Sequence, residues 1–476
     1  MKKYLPLLLL VLLCCFGLHA QNTDSGWVRD NYYKTERMIS MRDGTKLFTA
    51  FYVPNDSSQK HPILLNRTPY SCAPYGEDKF DPILYESYWI NYLKEGYIIA
   101  MQDVRGKWMS EGNFMDVRPF NPNKKGTDID EASDAYDAID WMISNIPGNN
   151  KRVGVFGISY PGFYSTMAAL SNHPALKAVS PQAPVTDWYQ GDDFHHNGAF
   201  FLMDAFDFYS GFGKPRPKPT ATGTDGFAFP LQDNYDFYLK TGPLKNFSKL
   251  MGDSIAFWND LMSHPDYDDW WKARNPRNFV NNINPAMLVV GGLFDAEDCF
   301  GAWELYKAIE IKSKNTDNRL VMGPWFHGAW GGTSNGSYLG NTRFGSRTST
   351  YYQKNIELPF FNFYLKLKST VHAIAEATIF FSDENEWRSM NQWPPQNVSL
   401  TNAFLYPGND LRVALPSFDS SISTNTSFKD AAFSEYTSDP FHPVPYTEDV
   451  HLKRTREYMT DDQRFASRRP DVLSFS

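Results

Sequence analysis

The sequence predicts an α/β fold, a mostly parallel sheet with helices on both faces, and three observations predict it. From residue 45 to about 325, short apolar runs alternate with helical stretches. At residues 157–162 one such run turns abruptly into a helix-forming stretch. The alternation breaks only between about 194 and 283, and its character changes after about 372.

The strand-like runs come in order as "KLFTAFYVP", "HPILLNRTPY", "GYIIAMQDVRG", "RVGVFGIS", "AMLVVGGLFD" and "RLVMGPW", each short, apolar and followed by turn-formers. Between them, "DIDEASDAYDAIDWMISN" (128–145) sets Ala135, Ile139 and Met142 on one helical face and its acids elsewhere. Residues 194–283 are dense in Phe, Tyr and Trp and carry "GKPRPKPTATGTDG", which reads as a helical cap inserted into the sheet domain. After 372, "PP" turns and runs such as "ATIFFS" and "TNAFLYP" read as an all-β domain. The expected organisation is a sheet domain over 27–193 and 284–371, a cap over 194–283 and a β domain over 372–476. A chain of 476 residues is too long for one ordinary core, which agrees with several units.

Hydrophobic residues make up 42% and charged residues 21%, ordinary for a soluble globular protein. Aromatics at 16% are high and suit broad packed surfaces or a flat-walled pocket. The formal charge of -8 argues against nucleic acid as a partner, since phosphate binding needs a basic footprint. Lys2 and Lys3, the apolar "YLPLLLLVLLCCFG" and "LHA" read as an export signal cut after Ala20, with Leu18 larger than the ideal residue there. The apolar run is short for a membrane span, and Leu13 before Cys14 is not the small residue a lipoprotein signal needs. The expectation is a secreted or periplasmic protein with no span after cleavage. Only Cys72 and Cys299 then remain, either paired or free. Two Cys without matching His clusters are poor grounds for a metal site.

In "GISYPG", Ser159 lies between a strand and a helix, the setting of a nucleophile elbow, where a tight turn lifts the serine hydroxyl above the sheet. The usual second glycine position holds Pro161, with Gly162 one residue later, so the motif is met in part. The alternative is a strand–helix turn with an N-cap serine. A serine nucleophile needs a base oriented by an acid, and the chain order in such folds is Ser, Asp or Glu, then His. Asp295 ends "AMLVVGGLFD" and His327 follows "RLVMGPW", both where the carboxyl ends of strands converge. His173, His195, His196 and His264 read as structural. The backbone N–H of Tyr160 supplies one oxyanion donor; Tyr70 in "NRTPYSCAPYG" is a second candidate, though a packed tyrosine fits as well.

The ordered set "RTPY", "QDVRG", "GISYPG", "GDDFHHNGAF", "GGLFDAED" and "GPWFHG" resembles the α-amino acid ester hydrolases, within the cocaine-esterase and X-prolyl dipeptidyl-peptidase group of α/β hydrolases. The resemblance runs from about residue 27 to the end. It implies an α/β-hydrolase fold with Ser159 as nucleophile, His327 as base, Asp295 as orienting acid, and Tyr70 with Tyr160 as oxyanion hole. It also implies no metal or organic cofactor, and it leaves a homo-oligomer open. Family members finish with a jelly-roll domain, whereas this chain stops at "RRPDVLSFS", so the resemblance implies an incomplete one. Missing strands leave edges uncovered, so weak stability is expected, and a monodisperse, cooperatively melting preparation counts against it.

Glu297 and Asp298 lie just beyond Asp295, "GDDF" adds Asp193, and no Lys or Arg between 291 and 303 neutralises that loop. Crowded carboxylates repel unless a cation lies among them. A solvated acidic loop or a helix N-terminus that favours acids explains the same residues. The resemblance maps a carboxylate cluster that holds a substrate ammonium onto Asp193, Glu297 and Asp298, with Asp192 an adjacent alternative. The implied activity is hydrolysis of esters and amides of α-amino acids, and transfer of the acyl group to amines. Rivals are an X-Pro-type dipeptidyl-peptidase, a broader carboxylesterase or acylase, and a non-catalytic protein with a vestigial triad.

Overall fold

In the computed structural model, residues 23–367, 374–406, 409–413 and 434–475 are described; the export signal expected over 1–20 lies outside them. The strands are, in order, β1 (Tyr32–Ser40), β2 (Lys46–Pro54), β3 (His61–Thr68), β4 (Ile98–Asp103), β5 (Asn149–Ile158) and β6 (Leu176–Gln182). A small hairpin β7 (His195–His196) and β8 (Ala199–Phe200) precedes β9 (Ala286–Gly292) and β10 (Asn318–Gly323). Another, β11 (Tyr338–Leu339) and β12 (Thr342–Arg343), precedes β13 (Ala377–Phe381) and β14 (Glu386–Met390). Last come β15 (Phe404–Tyr406) and β16 (Asp410–Arg412).

Ten of these form one sheet in the order β1-β2-β4-β3-β5-β6-β9-β10-β13-β14. From β4 to β13 every neighbour is parallel, as in Ile63 opposite Ile98 and Leu65 opposite Val155. β1, β2 and β14 add antiparallel edges. Parallel strands buried on both faces read as continuous apolar runs, which is why Ile98–Asp103 and Ala286–Gly292 are buried throughout. One face is covered by the helices Glu131–Asn145, Tyr160–Leu170 and Cys299–Lys312, and the other by Trp89–Lys94 and Leu358–Lys366. The first of these starts at an Asp130 cap whose side chain accepts from Ser133 N while Ser133 Oγ accepts from Asp130 N. Its Ala135, Ile139 and Met142 are fully buried, as the periodicity predicts.

Between β8 and β9 the chain makes five short helices, Leu202–Phe212, Asn234–Thr241, Leu244–Met251, Ala256–Ser263 and Asp269–Ala273. Their aromatic rings supply their core: Phe206 meets Phe227 at 5.0 Å and Phe247 at 5.2 Å between centroids, in edge-on geometry. Phe206, Phe237 and Trp258 are contiguous with the core on the elbow face of the sheet, so this segment is seated on the sheet.

The boundary expected at 372 needs correction. "ATIFF" pairs in parallel with β10 and buries Ala377, Thr378, Ile379 and Phe380, so residues 377–390 complete the main sheet rather than begin a separate β unit. Composition changes there because β14 is a polar outer edge. Beyond it, the described residues contain the single hairpin β15–β16 and no second sheet packed on it. Among the described residues no helix is long and apolar enough to cross a membrane. Cys72 and Cys299 are both free thiols, and Cys72 is buried, its N–H donating to Asp103 Oδ1.

Candidate active site

Ser159 sits where β5 ends and the helix Tyr160–Leu170 begins, with φ 70° and ψ -126°. A non-glycine residue with positive φ is strained and persists only where its surroundings hold it. Here they do: Ser159 N donates to Gln182 O at 2.9 Å, and Ser159 O accepts from Gly162 N and Phe163 N. The side chain makes no helix-capping bond, so its hydroxyl is not spent on the backbone, contrary to the N-cap alternative. A Cβ on Gly157 would lie 2.4 Å from Pro161 Cβ, and one on Gly162 would lie 2.5 Å from Gln182 O and 2.9 Å from Pro184 Cα. The glycine falls at 162 rather than 161 because that is where the helix meets the end of β6. Gly162→Ala is expected to cost about 1–3 kcal/mol in urea unfolding, since the backbone it meets has no room to move.

The residue after the serine is fixed independently. The Tyr160 hydroxyl donates to Asp116 Oδ1 at 2.8 Å, Tyr209 donates to the same oxygen at 3.0 Å, and Val117 N donates to Tyr160. The Tyr160 N–H lies in the first turn of its helix, whose amides have no intrahelical acceptor. Sequence reasoning missed Asp116, because nothing in "NFMDVRPF" signals it. Tyr70 reaches the same place from the loop after β3: its ring meets Tyr160 edge-on at 6.5 Å and its hydroxyl interacts with that of Ser159. Although 43% of the residue is exposed, desolvation of the hydroxyl in the cleft, with Asp193 nearby, raises its pKa, so the phenol stays a donor.

Asp295 leaves β9 with its side chain buried, and its Oδ1 accepts from Glu297 N at 2.8 Å and Asp298 N at 3.0 Å. His327 leaves β10 and places Nδ1 2.9 Å from Asp295 Oδ2. Burial opposes ionisation of Asp295, but His327 and those two amides outweigh it and hold its pKa below the usual range. Burial likewise opposes charge on His327, yet Asp295 and then Glu297 prevail and lift it to about 10. A Cβ on Gly328, the next residue, would lie 3.6 Å from Ile158 Cγ2, so the histidine loop packs beside the serine elbow. In this conformation His327 Nε2 faces Glu297 Oε2 at 3.3 Å. An imidazole oriented through Nδ1 by a carboxylate leaves Nε2 to move a proton, which is the chemistry of a general base.

Ser159, Tyr70 and Tyr160 open onto a cavity of about 220 Å³ that is also lined by Asp193, Glu297 and Trp188. Asp193 N donates to Glu297 O at 2.9 Å, and the Trp188 indole N–H donates to Asp193 Oδ2. Burial and the charge on Glu297 push the Asp193 carboxyl up to about 8. Asp298, grouped with these two from the sequence, stands apart. It is fully buried behind the cleft, 3.8 Å from His327 Nδ1, and among the described residues neither oxygen has a hydrogen-bond partner. Burial and the surrounding carboxylates raise its pKa well above the usual range. Glu297 lines the cavity and Asp298 does not, although the N–H of each donates to Asp295 Oδ1.

Asp193 lines the cavity, whereas Asp192, the adjacent alternative, does not. Asp192 is buried and accepts from Thr186 N, the Thr186 hydroxyl, Asp187 N and Gly301 N, which joins two loops. The absence of a cation near the acidic loop, read from residues 291–303, is also overturned: Arg454, far along the chain, pairs with Glu297 and, at 2.8 Å, with Asp204. No local signal in "HLKRTREYM" could have found it. Trp188 and Phe194 line the cavity, whereas Phe200 packs against the core. His195 is held by the Trp188 carbonyl and His264 by Asp268, away from Ser159. The described residues contain no cluster of three or more His, Cys, Asp or Glu arranged to hold a metal ion.

A family model described as X-Pro dipeptidyl-peptidase (S15 family) matches residues 43–329. The cocaine esterase of Rhodococcus sp. (strain MB1 Bresler) is 27% identical over 92% of this chain and 73% of its own. Among solved structures, an α-amino acid ester hydrolase is 33% identical, with a TM-score of 0.83, over 94% of this chain and 72% of its own. An aminopeptidase from a marine sediment Thaumarchaeota archaeon is 32% identical, with a TM-score of 0.82, over 93% of this chain and 71% of its own. With more than half of its residues matched by one family model, the chain belongs to the X-Pro dipeptidyl-peptidase (S15) family and is a serine ester hydrolase of the α/β-hydrolase fold.

Proposed function

We propose that the protein hydrolyses esters, and amides, of α-amino acids that carry a free ammonium group, through an acyl-enzyme on Ser159. Ser159 Oγ attacks the carbonyl carbon while its proton passes to His327 Nε2, with Asp295 holding the imidazole through Nδ1. Negative charge on the carbonyl oxygen is received by the Tyr160 N–H and the Tyr70 hydroxyl. Collapse expels the alcohol or amine, which takes the proton from His327; water repeats the sequence and frees the acid. An amine that arrives before water takes the acyl group instead.

One observation carries the substrate class: Asp193 and Glu297 line the same small cavity as Ser159. A carboxyl raised to about 8 by burial and by Glu297 gains most by meeting a cation, which draws off its proton. Asp298 supports the reading from behind the cleft rather than as a contact. A substrate ammonium on Glu297 also competes with His327 for that carboxylate and frees Nε2 for Ser159. A cavity of about 220 Å³ suits an acyl group of amino-acid size, below the range typical of drug-sized ligands. The test compares an α-amino acid methyl ester with its des-amino analogue. Preference of at least tenfold in kcat/KM for the amino ester is expected, and equal values remove the role of the carboxylates.

The family match and the aminopeptidase relative favour a second reading, release of X-Pro dipeptides, which needs the same free amine. Cleavage of an X-Pro peptide library without ester preference selects it. The sequence of residues 1–20, which reads as an export signal, supports a secreted or periplasmic site of action.

The charge on His327 sets a pH dependence. A general base works only when deprotonated, so with a pKa of about 10 in the free enzyme, kcat/KM is expected to rise with pH up to that region. Glu297 favours the protonated imidazole, so Glu297→Gln is expected to move the rising limb to lower pH, read from kcat/KM profiles between pH 6 and 11. An unmoved limb removes Glu297 from the control of the base.

A further inference from the structure

The mouth of the cleft is built partly by a segment that the S15-matched region does not contain. Leu452, Lys453 and Arg454 line the cavity with Ser159 and Glu297. The segment is tied to the helical insertion: Asn234 N donates to His451 O at 2.7 Å, and the Tyr235 hydroxyl donates to Pro443 O at 2.8 Å. Arg454 is far less exposed than Lys453. Its Nε donates to Asp204 Oδ1 at 2.8 Å, its Nη2 to Glu297 Oε1, and its guanidinium lies 5.4 Å from the Phe201 ring centroid. Only 15% of its side chain is exposed.

Four carboxylates therefore line the cleft, and the chain's own cations already meet three of them. Arg454 holds Asp204 and Glu297, and Lys453 holds Asp207 at 3.1 Å. Asp193 is met by the Trp188 N–H, and among the described residues no Lys or Arg pairs with it. We propose that Arg454 is a specificity-determining residue, whose guanidinium occupies the Glu297 half of the amine site and so competes with the ammonium of the substrate. This rests on the amine reading of the cleft and deepens it. A substrate with a free ammonium gains Asp193 at once, but gains Glu297 only by displacing a buried, two-point ion pair; a substrate without an ammonium is indifferent to it. Arg454 thereby lowers affinity for amines that Asp193 and Glu297 together would hold more tightly, and it favours substrates whose remaining contacts offset the displacement.

The test measures KM for an α-amino acid methyl ester and for its des-amino analogue on the parent, Arg454→Gln and Lys453→Gln. Arg454→Gln is expected to lower KM for the amino ester roughly tenfold, about 1.4 kcal/mol, and to change KM for the des-amino ester much less, so that the ratio of the two carries the result. Lys453→Gln removes the same charge without touching Glu297, so its effect is expected to be much smaller. Equal effects from the two variants overturn the proposal in favour of net charge alone, and an unchanged or higher KM in Arg454→Gln overturns it outright. Should Arg454→Gln fail to fold, Asp204→Asn, which frees one end of the guanidinium, decides the matter: a lower KM for the amino ester supports the competition, and an unchanged or higher one ends it. A parent enzyme that treats both esters alike sinks the amine reading itself, whereas a discriminating parent with an indifferent Arg454→Gln sinks only the competition.

Discussion

Ser159→Ala is expected to lower kcat for an activated ester by a factor of roughly ten thousand to a million, the loss seen when a serine hydrolase forfeits its nucleophile. The residue that remains supplies no oxygen to attack, and the cleft retains only its oxyanion donors and its binding contacts. The same substitution is expected to leave unfolding free energy within about 0.5 kcal/mol of the parent. Ser159 makes no capping bond and is held in its positive-φ turn by backbone bonds to Gln182, Gly162 and Phe163, all of which alanine keeps. Asp295→Asn, which spoils the tautomer that Nδ1 presents, is expected to lower kcat by about ten-thousandfold. The double variant is expected to be little worse than Ser159→Ala, since residues acting as a unit are not additive. Steady-state kinetics with urea unfolding checks each; an active Ser159→Ala removes the proposed nucleophile.

Asp193→Asn is the second large effect. Leaving one partner of a buried charge pair unmatched costs about 2–5 kcal/mol. The expected fall in kcat/KM for an α-amino acid ester is therefore roughly thirtyfold to several thousandfold, at 1.4 kcal/mol per decade. The des-amino ester is expected to react as before. Asparagine is nearly isosteric and still accepts from the Trp188 indole, so the wall of the cavity stays in place while the charge goes. Binding of an amine to the parent is also expected to release a proton near neutral pH, because Asp193 at about 8 is largely protonated in the empty cleft. Calorimetry in buffers of different ionisation heat reads that release. Parallel losses for both esters show that Asp193 supports the fold of the site and not the amine.

Much of this was legible in the sequence, and the exceptions have physical causes. "KLFTAFYVP" is β2, and the end of "RVGVFGIS" carries Ser159 as expected, because apolar runs and a glycine-flanked turn are local signals. β6 escaped notice since "LKAVSPQ" reads as a polar loop. Its Ser180 and Gln182 are nonetheless fully buried, satisfied by the carbonyl of Leu288, the carboxyl of Glu357 and the indole of Trp330. β1, "YYKTERMIS", is an edge strand whose mixed polarity matches its partly exposed register on β2. Asp295 and His327 were found because strand ends converge, a property of the fold. The inward turn of Asp298 and the arrival of Arg454 depend on which way a side chain points and on contacts across 157 residues, which spacing does not encode.

The most direct test of the central claim, a serine nucleophile beside an anionic amine site, is labelling with a fluorophosphonate followed by peptide mapping. The adduct is expected on Ser159, with its formation slowed by an α-amino acid amide and not by the des-amino amide. A label on another serine, no label at all, or equal protection by both amides would contradict the account.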